Sequence, residues 1–499
     1  MKTNLNVDTQ ALREKILDLA MRGKLVKQDA GDQPASVLLE KIKAEKVELV
    51  KEGKIKKSKK FPEITDDEKP FDIPDSWEWV RLGDIVTVAG GKRIPAGLKM
   101  TTENTGHVYI RVSDMKNGTI DTSNLMYISE DIFSLISKYI INEDDIYITV
   151  AGTIGKVGIV PKELNGANLT ENADRLIFRN LNQIWLKDSL ESIFIGRQIE
   201  GATTKVGQPK LAIRRIQNLI LPLPPLAEQK RIADKVSELF KQVDVIEKNV
   251  AEYQDLEQAM RSKLLDLAMR GKLVDQDPSD EPGSELLKKI QAEKAELVKE
   301  GKIKRSKKLP EITDDEKPFD IPDSWEWVRL GDITIITSGG TPSKSKKEYW
   351  ESGDIPWITP ALMGKAKHKT YKGETGYINK NGLSNSSAKL IPKNSIVYSS
   401  RAPIGHINVV PFDYTTNQGC KSVTPINENI DFLYYTLMQQ TPNIISRASG
   451  TTFKEISGSK FAETPIPLPP LAEQKRIADK LTRFFEDLDT IKQNLATVS

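Results

Sequence analysis

Only three histidines occur in the 499 residues, His107, His368 and His406, and only one cysteine, Cys420. Their separations match no ligand spacing that holds zinc or another metal. The run Gly152-Thr153-Ile154-Gly155-Lys156-Val157-Gly158 lacks the G-x-x-x-x-G-K-[ST] pattern of a phosphate loop and reads as a tight turn. No G-x-S-x-G esterase signature is present. Carboxylates are plentiful, but none is marked as a catalytic pair; Asp75, Glu78 and Asp84 read as turn and cap residues. The expectation is a chain without chemistry of its own. What the sequence does offer is side chains able to read nucleic acid. Arg and Lys pair with guanine O6 and N7, Asn and Gln with adenine N6 and N7. Ser, Thr and Lys hold phosphates.

Such residues gather in two polar, loop-rich stretches. In residues 85–221 they are Lys92, Arg93, Arg111, Ser113, Asp114, Lys116, Asn117, Lys156, Asn172, Arg175, Thr203, Thr204, Lys205, Gln208 and Lys210. In residues 333–466 they are Thr341, Ser343, Lys344, Lys346, Trp357, Thr359, Ser399, Arg401, Asn417, Gln418, Thr451, Thr452 and Lys454. Each alone reads as an ordinary exposed side chain. As a set on the loops of a rigid scaffold they form a candidate DNA-binding surface.

The scaffold must come from short β-type runs, such as His107-Val108-Tyr109-Ile110, Asp145 to Val150, Ser395 to Tyr398 and Ile407 to Val410, separated by turn residues. Two mixed α/β globules result, each large enough for its own core. They echo each other faintly. Ala89-Gly90-Gly91-Lys92 resembles Ser338-Gly339-Gly340-Thr341, and Ile154-Gly155-Lys156-Val157 resembles Ile404-Gly405-His406-Ile407. Ala202-Thr203-Thr204-Lys205 resembles Gly450-Thr451-Thr452-Phe453-Lys454. The likeness predicts one fold, the drift two ligands.

Around these inserts the chain repeats itself almost without change. Leu17 to Val26 returns as Leu265 to Val274, Pro62 to Asp84 as Pro310 to Asp332, and Pro222 to Lys235 as Pro467 to Lys480. Trp77 maps to Trp325 at an offset of 248, Pro222 to Pro467 at 245, so the register slips only within the inserts. That period is far beyond the ~20–50 residues of solenoid repeats. The order of blocks is that of a circle cut inside one copy, which predicts that both ends of the chain lie beside the central helix in a pseudo-twofold arrangement.

That central helix starts after Pro224-Pro225. Its apolar residues Ile232, Val236, Leu239, Val243, Ile246 and Val250 alternate by four and three, a coiled-coil seam. The seam runs on through Leu256, Met260, Leu264 and Leu267 to a glycine cap at Gly271. From Leu226 to Arg270 a helix rises about 65 Å. The C-terminal copy carries Ile477, Leu481, Phe484, Leu488, Ile491 and Leu495; the N-terminal fragment carries Leu12, Ile16 and Leu19. Packed lengthwise, these helices would make a rod that sets the distance between two DNA segments. Shorter helices are predicted over 34–52 and 282–300, the first with Leu39, Ile42, Val47 and Leu49-Val50 on one face, ended by Gly53 and Gly301.

Composition bounds the class. Charged residues are 29%, hydrophobic ones 38% and the formal net charge is +3, so bulk charge points to no partner. Local charge does more: basic runs at 54–60 and 302–308 each precede an acidic one and read as solvated linkers or as phosphate contacts. No apolar run approaches the ~18 residues of a membrane span. Met1 to Asn6 lacks the apolar stretch of a signal peptide, and a single cysteine suits a reducing compartment. These features predict a cytoplasmic protein.

Two variable inserts, each opened by Trp-Glu-Trp-Val-Arg-Leu-Gly-Asp (Trp77 to Asp84, Trp325 to Asp332) and closed by Pro-Leu-Pro-Pro-Leu-Ala-Glu-Gln (Pro222 to Gln229, Pro467 to Gln474) before a long helix, resemble the specificity subunits of type I restriction-modification systems. The resemblance covers essentially the whole chain. The second insert adds Ser338 to Ser343, Tyr349-Trp350, Ile355-Pro356-Trp357 and Thr416-Asn417-Gln418; the first departs, with Val108-Tyr109-Ile110 where the other has Pro356-Trp357-Ile358. The resemblance implies a mixed α/β (α+β) fold, with two target recognition domains separated by long coiled-coil helices in an internal pseudo-twofold repeat. Residues 1–26, 222–274 and 467–499 would be helical frame, 27–84 and 275–332 connectors, and 85–221 and 333–466 the target recognition domains. Each of these domains would read one half of a split, asymmetric sequence in double-stranded DNA. Two adenine methyltransferase subunits using S-adenosylmethionine would dock on the frame, through the two seams. Two restriction subunits using ATP and Mg²⁺ could join. This chain would bind no cofactor or metal and catalyse nothing. The residues leave two rivals: a standalone DNA-binding regulator and a coiled-coil scaffold whose inserts bind proteins.

Overall fold

The computed structural model describes residues 7–52, 60–203, 209–305, 307–366, 368–450 and 454–497. The chain divides into two compact units, one spanning Asp8–Asn249 and the other chiefly Val250–Ser499. The helix Leu226–Met269 runs from the first into the second, one residue short of the expected span.

In the first unit, the helix Thr9–Met21 begins where the Asp8 carboxylate accepts the Ala11 amide at 2.9 Å. It lies along the first half of the long helix, with Arg13 bound to Asp244 at 2.5 Å and stacked on Phe240. In the second unit the latter half of the long helix takes the place of Thr9–Met21. There Arg261 binds Asp489 at 2.6 Å and stacks on Phe485 of the helix Leu471–Thr497. Each terminal helix therefore packs beside its own half of the central one.

The repeated motifs are the joints of each unit. Glu78–Arg81 pairs antiparallel with Ile220–Leu223, and Glu326–Arg329 with Pro465–Leu468, which brings the two ends of each insert together. Glu78 thus opens a strand and is no turn residue. Behind each pair a tryptophan is buried. Trp77 Nε1 donates to Glu228 at 2.8 Å, and Trp325 Nε1 to Glu473 at 2.9 Å. Gln28 and Gln276 donate to the other oxygen of the same carboxylates. Burial pushes both carboxyls up, and these donors oppose it. The neighbouring glutamine does a second task. Gln229 donates to Pro224 O and accepts the Asn182 amide, both at 3.0 Å; Gln474 repeats this with Pro469 and Asn429. The Ala-Glu-Gln signature thus ties the long helix to the frame tryptophan through Glu and to the insert through Gln. Gly23 and Gly271, with φ near +65°, lie where a Cβ would run into Pro74 or Pro322 beside the tryptophan. Only glycine fits both the left-handed backbone and the close approach.

The short frame helices are Ala35–Lys51 and Gly283–Lys299. The buried face of the first is Ala35, Leu38 and Ile42, whereas Val47, expected on that face, is exposed. Its C-terminal half is anchored by a polar contact instead: Lys46 Nζ donates to Gly83 O at 2.6 Å and Val86 O at 2.8 Å. Lys294 binds Gly331, Asp332 and Thr334 carbonyls in the same way. Gly53 lies outside the described residues, as does most of the basic run 54–60.

Among the described residues the first insert carries two four-stranded sheets and a two-stranded hairpin, and the second a four-stranded and a three-stranded sheet. In the first unit an antiparallel sheet runs Thr87–Gly90, Ala173–Ile177, Ile146–Thr149, Val157–Ile159. The second sheet contains Val108–Ile110 parallel to Ala167–Leu169. In the other unit the order is Thr334–Ser338, Cys420–Pro425, Ser395–Ser399, Ile407–Val410, and Ile355–Ile358 lies parallel to Thr415–Thr416. Frame and insert share one core in each unit: Trp77, Leu223 and Ile232 pack with Ile148 and Leu176, as Trp325, Leu468 and Ile477 do with Ile396 and Val423.

One buried acid should make the second unit sensitive to pH. Glu428 accepts the Ile426 amide at 2.7 Å, but among the described residues its other oxygen has no hydrogen-bond partner, and burial pushes its pKa up to about 7. A carboxyl raised on folding contributes stability below its unfolded pKa, near ~4.3, and loses it as pH rises through about 7. Stability of this unit is expected to fall across that window, by the order of ~3 kcal/mol. Glu428→Gln should flatten the fall in denaturant titrations at pH 5 and 8; an unchanged slope rules Glu428 out as the cause.

Candidate nucleic-acid interface

Superposed by strand register, the two inserts present the same cradle. Gly91 donates to Ala173 O and Lys92 to Leu169 O; Gly339 donates to Cys420 O and Gly340 to Thr416 O. Gly90 pairs with Asp174 as Ser338 pairs with Lys421. Gly91 therefore corresponds to Gly339, one position away from the match suggested by sequence. Both glycines are required by close approach: a Cβ would overlap the carbonyl oxygens of Leu169 and Thr170, or that of Asn417 together with the Thr416 hydroxyl.

From the parallel strand an aromatic residue steadies the same loop in each insert. Tyr109 donates its hydroxyl to Lys92 O at 2.9 Å, and Trp357 donates Nε1 to Gly340 O at 3.3 Å. Beyond the glycine, Arg93 Nε binds the Glu171 carboxylate, whose other oxygen accepts the Thr170 hydroxyl at 3.1 Å. At the matching positions Thr341 donates to the side-chain oxygen of Gln418. One cradle presents an ion pair, the other a neutral pair. Tyr109, Thr170 and Glu171 escaped sequence reasoning, which chose Asn172. Had Leu169 to Glu171 been matched to Thr416 to Gln418, Glu171 would have been found.

The remaining first-insert residues are not gathered in one place. Arg111 forks onto Asp114 at 2.6 and 3.0 Å and reaches Asn124 O at 2.8 Å, while Ser113 also contacts Asp114. The guanidinium is thereby raised in pKa and locked into its own turn, Asp114 being buried. Lys116 pairs with Asp121 at 2.9 Å, and Arg175 faces the buried Asp145 at 3.6 Å. Asn117, Lys156 and Thr203 share the wall of a cleft of about 750 Å³ that also touches Glu191 and Glu200. Asn172 lends its carbonyl to the Val150 amide. Thr204, Lys205 and Gln208 lie outside the described residues.

In the second insert, Ser343 bonds Ser345 and accepts Trp350 Nε1 on its carbonyl, and the Trp350 ring meets Trp357 edge-on at 5.0 Å. Lys346 binds the Tyr349 hydroxyl at 3.0 Å, Lys344 is exposed, and Thr359 caps the helix Pro360–Met363. Asn417 accepts the Gly419 amide at 3.0 Å. Ser399 is buried, receiving the His406 amide at 2.8 Å, so it supports the sheet rather than facing a ligand. Arg401 pairs with Glu455 at 2.8 Å, and Lys454 is exposed beside it. Thr451 and Thr452 lie outside the described residues.

A second charge difference lies deeper. Asp174 and Lys421 occupy one register position, both buried. Burial pushes Asp174 up to about 6 against the pull of Lys210; it lowers Lys421 against the pull of Glu455. Leu211 and Ile456 dock alike, on Val150 O and Ser400 O, so Lys210 and Glu455 also correspond. The pair is reversed between the inserts.

Along the helices, Ile232, Val236, Val243, Ile477, Leu481 and Leu488 are buried. Leu239 and Val250 are half-buried, and Ile246, Phe484 and Ile491 are exposed. Among the described residues no three His, Cys, Asp or Glu side chains are grouped to hold a metal, and no helix is long and apolar enough to cross a membrane. Cys420 is buried, its thiol pushed up to about 12.

A family model described as the type I restriction modification DNA specificity domain matches residues 74–254 and 322–499. The chain belongs to this family. Similar specificity subunits include that of the type I restriction enzyme EcoAI from Escherichia coli, 30% identical over 97% of this chain and 90% of the relative. That of EcoEI, also from Escherichia coli, is 29% identical over the same shares. The fold matches the HsdS subunit from Thermoanaerobacter tengcongensis at a TM-score of 0.52 and 20% identity, over 86% of this chain and 96% of the other. It also matches a chain from a structure of type I R-M system assembly and conformational transition at 0.58 and 22%, over 86% and 95%. The specificity-domain matches cover both inserts and the long-helix segment that follows each.

Proposed function

We infer that this chain is the DNA-recognition subunit of a type I restriction-modification enzyme. Each insert, 85–221 and 333–466, reads one half of a split asymmetric target in the major groove. The frame segments 1–26, 27–84, 222–274, 275–332 and 467–499 hold the inserts and dock two adenine methyltransferase subunits. S-adenosylmethionine belongs to those subunits; ATP and Mg²⁺ belong to restriction subunits where the system has them. The chain itself supplies an address and no reaction, and works in the cytoplasm. The observation that carries this reading is one cradle built twice, with different side chains at matching positions, in a chain of the specificity family. Equivalent frames suit two copies of one partner.

Modified-base sequencing of a methylation-free host expressing this chain with its modification subunit tests the reading. N6-methyladenine at one split motif, lost when this chain is omitted, is the expected result. No modification from a soluble, co-purifying pair overturns it.

Docking can be tested apart from folding. Leu481 has no exposed surface, so Leu481→Asp should unfold the second unit, by about 3–5 kcal/mol. Phe484 is 37% exposed, so Phe484→Asp should leave the thermal melt within a few degrees of the parent and weaken co-purification with the modification subunit. Full co-purification by Phe484→Asp removes this residue from the docking surface.

A further inference from the structure

We propose that the matched polar pairs address different bases from the same place in the fold: Arg93, held by Glu171, a guanine in one half-site, and Gln418, held by Thr341, an adenine in the other. The proposal rests on the function inferred above and adds which chemical group each cradle reads.

Both pairs are held firmly. Their loops lie against backbone oxygens too close for any side chain at Gly91 or Gly339, and each is tied by an aromatic donor, Tyr109 or Trp357. Both pairs also reach the surface. The Arg93 side chain is 78% exposed, and among the described residues only its Nε is hydrogen-bonded, to Glu171. A carboxylate on Nε fixes the guanidinium plane and leaves the two Nη groups facing outward, the fork that pairs with guanine O6 and N7. Gln418 is exposed, with its oxygen receiving the Thr341 hydroxyl. Its amide N–H₂ and the second lone pair of that oxygen remain to donate to adenine N7 and accept from N6.

Charge separates this reading from a phosphate contact. Arg93 with Glu171 carries no net charge, and Thr341 with Gln418 carries none, so neither pair attracts a phosphate as a lone lysine would. Base edges are neutral, and they differ by where donors and acceptors stand. Two neutral heads with different donor patterns suit that task.

The full chain in complex with its modification subunit serves for the test, with the methylated motif read genome-wide. Arg93→Ala should relax one guanine position in one half-site, discrimination there falling roughly 5- to 150-fold, with every other position kept. Arg93→Gln, which replaces the fork with an amide, should move that position from guanine towards adenine, and covers the case in which Arg93→Ala fails to fold. Gln418→Glu should change one adenine position in the other half-site towards cytosine, whose N4 donates to a carboxylate. Unchanged motifs overturn the proposal, as do changes falling in the same half-site. So does uniform weakening by Arg93→Ala with a shallower salt dependence, the mark of a phosphate contact. A parent complex that co-purifies but methylates nothing would instead overturn the function on which the proposal rests.

Discussion

Replacing residues 85–221 with the matching insert of another type I specificity subunit should rewrite one half of the methylated motif and leave the other half and the gap unchanged. The expectation rests on how the insert joins its frame. Its ends meet at the strand pair Glu78–Arg81 and Ile220–Leu223, so the graft enters and leaves at adjacent points. The tryptophan, the Ala-Glu-Gln signature and the glycine against Pro74 all lie outside the exchanged segment. Several interactions cross the boundary, and one of them depends on the identity of an insert residue at a helix start: Gln229 accepts the amide of Asn182, which also caps the helix Gln183–Leu190. A donor insert with an N-capping Asn, Ser or Asp there should therefore graft best. Motif sequencing reads the result, and a change in both half-sites would sink the assignment of one insert to one half-site.

Gly339→Ala should abolish discrimination in one half-site while sparing the other. The obstacle is space, since the added methyl would overlap the Asn417 carbonyl and the Thr416 hydroxyl. Backbone on one side and a buried side chain on the other leave little room to yield. The loop carrying Thr341 must then lift from Gln418, at about 1–3 kcal/mol, the usual cost of overpacking. A thermal melt should show one unit weakened, and the motif should lose specificity at several positions of a single half. Wild-type specificity in this variant would show that the cradle does not read DNA.

Much of the architecture was legible because identity between distant segments is visible without a structure. The copies of Trp77, Arg81, Glu228 and Gln229 marked the frame. Their partners did not show, because each lies far away in sequence: Trp77 with Glu228, Arg81 with the Asn218 carbonyl, Gln229 with Asn182. The long helix was readable from its seam, yet the same pattern placed Ile246 and Ile491 with residues that are buried, when both are exposed. Apolar spacing defines a helix face but not what covers it. In the inserts, composition found Arg93, Thr341 and Gln418, and equally Arg111 and Asp114, which bind each other. A guanidinium answering to a local carboxylate looks the same in sequence as one facing outward. The glycine match failed by one residue because two adjacent glycines in the second insert gave alternatives that only strand pairing resolved.

The duplicated frame also bears on how such a chain can change over generations. Pro62 to Asp84 and Pro310 to Asp332 are identical in sequence, and Trp77 makes with Glu228 the bond that Trp325 makes with Glu473. A genetic crossover inside these segments, within one gene or between two, joins an insert to a different frame copy with each joint already matched. The helix-side partners Glu228-Gln229 and Glu473-Gln474 are interchangeable for the same reason. New pairings of reading heads can therefore arise in one recombination event, with no intermediate that must fold badly first. The repeat that makes the molecule look redundant is what lets its vocabulary be shuffled by whole words rather than respelled letter by letter.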